Sequence, residues 1–184
     1  MQFDPRRARD LDLLDLVDAF AREPFDGRVW RVVRDGRDPM IGAPSLSRWC
    51  NGGFDILYTS LERNGAIAEI HALLSLQPVF PSKPKWFCSE LRVRAARTLR
   101  IADLGALQKL GVDTAAYRER RYERTQEIAD AAYFFDFDGL IAPSARWDCA
   151  NLMLFTGKLA PDDIEIVASA PEAIDWRAWR ASRR

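Results

Sequence analysis

The stretch LYTSLERNGAIAEIHALL, residues 57–74, decides how the rest of the chain is read. With Ile56 before it, ILYT (56–59) reads as a short strand, Ser60 as a helix N-cap, and residues 61–75 as a helix. Ile67, Ile70 and Leu74 form one apolar stripe along that helix, which predicts the face turned to the core. Glu69 lies on the flank of the stripe, among Gly65, Ala66, Ala72 and Leu73, and most of these are small enough to leave space beside a carboxylate. Two residues further on is His71, the only histidine in the chain. The pattern alone leaves Glu69 as either a solvated surface carboxylate or a group facing a pocket. Tyr58, at the end of the strand, would place an aromatic ring near the top of the same helix.

Working outward, residues 8–22 carry Leu13, Leu16, Val17 and Phe20 on one stripe with acids opposite, an amphipathic helix ending near Pro24. RVWRVV (28–33) reads as a strand. A loop rich in Gly, Pro and Ser follows, too long for a simple connection. Beyond the quoted stretch, strands are expected at 87–94 and near 98–101, and a short helix at 103–111. Residues 115–135 read as a long helix whose alternating charges form a solvated face. GLIAPS (139–144), NLMLF (151–155) and IEIVAS (164–169) read as strands, and a helix closes the chain. The order is not a regular βαβ alternation. It predicts an α+β domain with a mixed sheet and flanking helices.

Length and composition narrow the function. A chain of 184 residues supports one domain with a sizeable core. Twenty-seven basic residues balance twenty-seven acidic ones, so no overall charge favours nucleic acid or a membrane surface. No apolar run approaches a membrane span, and the acids in MQFDPRRARDLDLLDL argue against an export signal, which points to a cytoplasmic protein. Cys50, Cys88 and Cys149 form no CxxC pair, and with one histidine they make no zinc set, so no metal is expected. Nucleophile elbows, phosphate loops and dinucleotide fingerprints are absent.

The remaining candidates are few. Val29, Arg31 and Val33 share one face of their strand, and Trp30 and Val32 the other, so Arg31 is a lone charge between apolar neighbours. It either snorkels outward from an edge strand or binds an anion from a rigid position. Arg48, before Trp49, can be a second such cation or an ordinary loop arginine. Ser144 ends a strand and is either a turn serine or a ligand-positioning hydroxyl. Trp176 and Trp179 on the last helix either close the core or offer a docking face, and the second case would suit a non-enzymatic protein-binding module.

Taken in order, VWRVV, SRWCNGGFDILYTSLERNGAIAEIHALL and DGLIAPSARWDCANLMLF resemble the RES domain, named for its arginine, glutamate and serine. The family's middle signature is a G-x-R-W-N-like segment, a short strand ending near a tyrosine, and a helix with a glutamate about eleven residues later. Here those positions are Arg48-Trp49, Tyr58 and Glu69, although the first segment reads SLSRWCN. The resemblance makes Arg31, Glu69 and Ser144 the eponymous residues. It implies a mostly antiparallel, ADP-ribosyltransferase-like sheet, and divides the chain into an N-terminal helix (1–27), a RES-like catalytic domain (28–170) and a C-terminal helix (171–184). It also implies a toxin that consumes NAD as substrate, with no cofactor, breaking the nicotinamide–ribose bond and passing ADP-ribose to water, phosphate or protein. Glu69, Arg31 and Tyr58 would be catalytic, with Arg31, Arg48, Tyr58 and Ser144 holding NAD. The implied partner is an Xre-like antitoxin that blocks the NAD site, with room for a homo-oligomer within that complex.

Overall fold

The computed structural model describes residues 9–182. The expected positions 1–8 of the first segment and 183–184 of the last helix lie outside the described residues. The elements run α1 (Leu11–Asp18), β1 (Glu23–Arg34), β2 (Leu46–Ser47), β3 (Cys50–Asn51), β4 (Ile56–Ser60), α2 (Arg63–Leu74), β5 (Trp86–Arg100), α3 (Leu104–Lys109), α4 (Glu123–Phe134), β6 (Gly139–Pro143), β7 (Ala150–Phe155), β8 (Ile164–Ser169) and α5 (Trp176–Ala181). This is the α+β class, and every strand pairing but β5–β6 is antiparallel.

The main sheet has the order β1-β4-β7-β6-β5-β8, and β1 also pairs with β5 along nearly its whole length. The ladder therefore closes on itself, and the sheet curls so that two halves face each other. Strand alternation assigns the side chains accordingly. Val29 of β1 and Leu91, Val93 and Ala95 of β5 meet Leu57, Ile141, Leu152 and Leu154 in one buried cluster between the halves. On the outer face of β4, β7 and β6, Ile56, Met153, Phe155, Leu140 and Ala142 join Leu13, Val17 and Ile128. The helices α1 and α4 cover that face. On the opposite side, Val32 and Cys88 pack against Ala66, Ile67 and Leu74 of α2 and Trp176 of α5. Trp176 thus closes the core, and Trp179 packs partly against the same cluster.

Several expected boundaries shift, each for a local reason. Pro24 lies inside β1 at a register shift, where a bulge tolerates its missing N–H. The strand therefore starts at Glu23, before the expected domain boundary, and α1 buries Leu13 and Val17 in the common core. Ser60 is not the N-cap of α2. Its register opposite both Trp30 and Asn151 keeps it in the ladder, and the helix begins only at Arg63. The two short strands expected at 87–101 are one continuous strand, β5. The long helix expected over 115–135 is confined to Glu123–Phe134. Before it, Asp113 caps a turn at Ala115 and Ala116, and Tyr117 turns inward to donate to the Pro143 carbonyl at 2.7 Å.

Gly65 explains how close α2 comes to the sheet. A Cβ there would collide with Ser60 Oγ and Cys149 Sγ, both on the strand-side surface beneath the helix. Alanine normally favours a helix interior over glycine by about 1 kcal/mol. Here Gly65→Ala is expected to lower stability by about 1–3 kcal/mol through overpacking. Urea unfolding would measure it, with the loss largely relieved in a background of Ser60→Ala and Cys149→Ala.

Candidate active site

β1 pairs with β4 at one register position, Trp30 opposite Ser60. A cavity of about 350 Å³ lies along this seam, lined by Trp30, Arg31 and Val32 from one strand and Tyr58, Thr59 and Ser60 from the other. α2 contributes Ala66, Glu69, Ile70 and Leu73, and the β2–β3 hairpin contributes Ser47, Arg48 and Trp49. The volume falls within the range of small-molecule sites.

Glu69 is half-buried on the cavity wall. Its Oε1 accepts the Ser144 hydroxyl at 2.6 Å and the Asn151 Nδ2–H at 2.9 Å. The Ser144 oxygen in turn accepts the backbone N–H groups of Arg146 and Trp147 at 3.1 and 3.2 Å. The serine proton is therefore committed to the carboxylate, and the turn after β6 fixes the serine. Two groups on the β6–β7 hairpin thus lock a carboxylate carried by α2, and Oε2 is left without a protein hydrogen bond among the described residues.

Four arginines, Arg31, Arg48, Arg120 and Arg146, line the cavity, with Glu69 as the single acid among the lining residues. Arg31 follows Val29 by strand alternation and so lies on the face between the sheet halves. Its Nη1 is shut off from solvent and has no hydrogen-bond partner among the described residues. Burial lowers its pKa to about 10, opposed by the field of Asp38, so it remains a cation at neutral pH. Arg48 is held differently. Its guanidinium lies over the rings of Tyr117 and Tyr122, 4.4 and 4.9 Å from their centroids, and donates to the Glu119 carbonyl at 3.2 Å. The rings fix its position without neutralising it.

Tyr58 points its phenol at the hairpin. The oxygen lies 2.6 Å from Ser47 Oγ and accepts the Trp49 N–H at 2.8 Å. Burial raises its pKa far above the usual phenol range, so it stays protonated and anchors the loop that carries Arg48. From α4, Gln126 braces the same hairpin by donating to the carbonyls of Ser47 and Cys50. His71 lies apart from the cavity lining, against Phe80 and Trp176, as a packing side chain.

Of the residues expected from sequence, Arg31, Arg48, Tyr58 and Glu69 line one cavity, and Ser144 touches Glu69 from behind. Asn151, Arg120 and Arg146 were not anticipated. Asn151 had a signal, since it is the polar residue of an otherwise apolar strand, ANLMLF. Arg120 was hidden in a charge run assigned to a solvated helix face.

The fold and site define an α+β protein with a cationic cavity built around one oriented carboxylate. The chain belongs to the RES domain family, whose model matches residues 28–180. Its fold is similar to that of a chain in the crystal structure of the M. tuberculosis MbcT–MbcA toxin–antitoxin complex. The TM-score is 0.78 at 16% identity, covering 96% of this chain and 99% of that one. No curated protein matches the sequence.

The Arg31 charge costs the empty protein stability. Its pKa in the fold lies below the free value, so the penalty is present at every pH below about 10 and fades as pH rises through that value. Arg31→Met, similar in length but uncharged, is expected to stabilise the protein by about 1–4 kcal/mol. Added inorganic pyrophosphate should raise the melting temperature of the natural protein more than that of the variant, as thermal-shift titration would report.

Proposed function

We propose that the protein is an NAD-consuming toxin that breaks the bond between nicotinamide and ribose. The observation that carries this reading is the Arg31 guanidinium, whose Nη1 is closed to solvent and has no partner among the described residues, in the same cavity as the oriented Glu69 carboxylate. Dinucleotides offer the matching pair: a pyrophosphate for the guanidiniums, and a ribose that gains positive charge as nicotinamide leaves.

In this reading Arg31 and Arg48 take the pyrophosphate, and Arg120 and Arg146 add to the field at the cavity wall. Glu69 faces the ribose. As the C1′–N bond breaks, its electron pair returns to the pyridinium nitrogen, nicotinamide departs neutral, and the ribose carries the positive charge. A carboxylate already held by Ser144 and Asn151 stabilises that charge without reorganising. The acceptor then bonds to C1′. With water, its proton passes to solvent and ADP-ribose is released. With phosphate or a protein side chain the same carbon is captured by another nucleophile. Tyr58 is assigned to hold the hairpin, since its phenol is engaged there.

The similar M. tuberculosis protein was crystallised as a toxin–antitoxin complex. Here Leu46 and Leu73, both at the cavity and both at least half exposed, offer an apolar rim to an antitoxin that covers the opening. No helix among the described residues is long and apolar enough to cross a membrane.

Incubation of the purified protein with NAD, with and without phosphate, followed by mass spectrometry of nicotinamide and the ribosyl product, tests the reading. Nicotinamide release identifies the reaction, and the product mass identifies the acceptor. Glu69→Gln, which preserves shape and removes charge, is expected to slow release by ~10²-fold or more. Release at the unaltered rate would remove Glu69 from the chemistry, and no release from the natural protein with any acceptor would favour a binding module.

A further inference from the structure

The hydrogen bonds described above account for half of the Asn151 side chain. The Nδ2 must be the atom turned to Glu69, because an amide oxygen there would oppose a carboxylate. This assignment sends Oδ1 the other way. That oxygen is closed to solvent and accepts nothing from the described residues, although Asn151 is only 9% exposed and lines the cavity. The residue is also rigid, since β7 is paired on both sides there, with Ser60 of β4 and Ala142 of β6. A buried acceptor without a donor is destabilising, and an apolar side chain of the same size would avoid the cost. An anchoring role toward Glu69 explains Nδ2 and leaves Oδ1 unexplained.

We infer that Asn151 is a substrate-binding residue whose side-chain carbonyl accepts a hydroxyl of the ribose that loses nicotinamide. The inference rests on the NAD-cleavage reading and deepens it. Glu69 must lie near C1′ to act on the developing charge, and Asn151 is one hydrogen bond from Glu69. Its free oxygen therefore neighbours the hydroxyls beside C1′. Glu69 Oε2 and Asn151 Oδ1 together form two unclaimed acceptors on adjacent side chains. A vicinal diol offers two O–H donors, one for each acceptor. The site thus selects for ribose over deoxyribose next to the scissile bond.

The test is a substrate-by-variant cycle. Nicotinamide release is measured with NAD and with analogues in which the 2′- or the 3′-hydroxyl of the nicotinamide ribose is replaced by hydrogen. Each kcat/KM is divided by the spontaneous cleavage rate of the same compound. For the natural protein, one analogue is expected to fall tenfold or more below NAD. For Asn151→Ala that penalty should shrink at least fivefold, because the hydroxyl no longer has its acceptor. Asn151→Leu, closer in volume, carries the same comparison if the alanine variant does not fold. Equal slowing of all three compounds in a folded variant would overturn the inference and leave Asn151 as a positioning residue for Glu69. A variant that remains as sensitive as the natural protein to each missing hydroxyl overturns it as well. If the natural protein releases no nicotinamide from NAD, the underlying reading fails, a result distinct from an active enzyme without coupling.

Discussion

One carboxylate held by the two arms of the β6–β7 hairpin organises the site. Glu69 comes from α2, Ser144 from the turn after β6, and Asn151 from β7, and all three meet within hydrogen-bond distance. For that meeting to occur, α2 must lie close over the ends of β4 and β7. The closeness depends on Gly65, the one position where the helix has no side chain to hold it away from Ser60 and Cys149. Local helix propensity is given up at that residue in favour of approach. The closed strand ladder then makes the arrangement stiff, because β4, β7, β6, β5 and β1 each have neighbours on both sides over part of their length.

The cations are placed by two different kinds of physics. Arg31 is fixed by a strand: its backbone is locked opposite Ser89, and its direction follows from alternation with Val29. Arg48 is fixed by aromatic rings, Tyr117 and Tyr122, brought in from the segment leading to α4. Tyr58 and Gln126 hold the hairpin between them. The rigid sheet carries one charge, and a loop braced from both sides carries the other. The cavity between them is lined by four arginines and one oriented carboxylate.

Much of this was legible in the residues themselves. Strand alternation placed Arg31 among apolar neighbours, and the helix stripe put Glu69 on a flank beside small residues. Both inferences concern one element at a time, and both match the geometry. In the opening stretch the cap and the start of the helix both move: Ser60 is held in the ladder by partners at positions 30 and 151, which no local pattern contains. Tyr58 is more instructive. It was expected at the substrate, and the structure has it lining the cavity with its phenol spent on Ser47 and Trp49, a pairing set by the fold of a long loop. The same holds for the lost first turns of the helix expected at 115. Tyr117 has a partner at Pro143, and a tertiary hydrogen bond outweighs local helix preference. Asn151 could be noticed in an apolar strand, but its relation to Glu69 depends on a crossing of β7 and α2 that spacing does not encode.

The Arg31 charge, whose Nη1 has no hydrogen-bond partner among the described residues, also has a meaning over evolutionary time. Most substitutions in a protein interior are purged because they destabilise, so stability and function are usually defended together. If Arg31 holds the anion as proposed, they pull apart at this position, since an apolar replacement would relax the fold while removing that cation. A gene copy released from selection for activity would therefore drift away from arginine here without any folding penalty to slow it. On the function proposed above, an arginine standing at position 31 would be a record of use, written where the fold alone favours an apolar side chain.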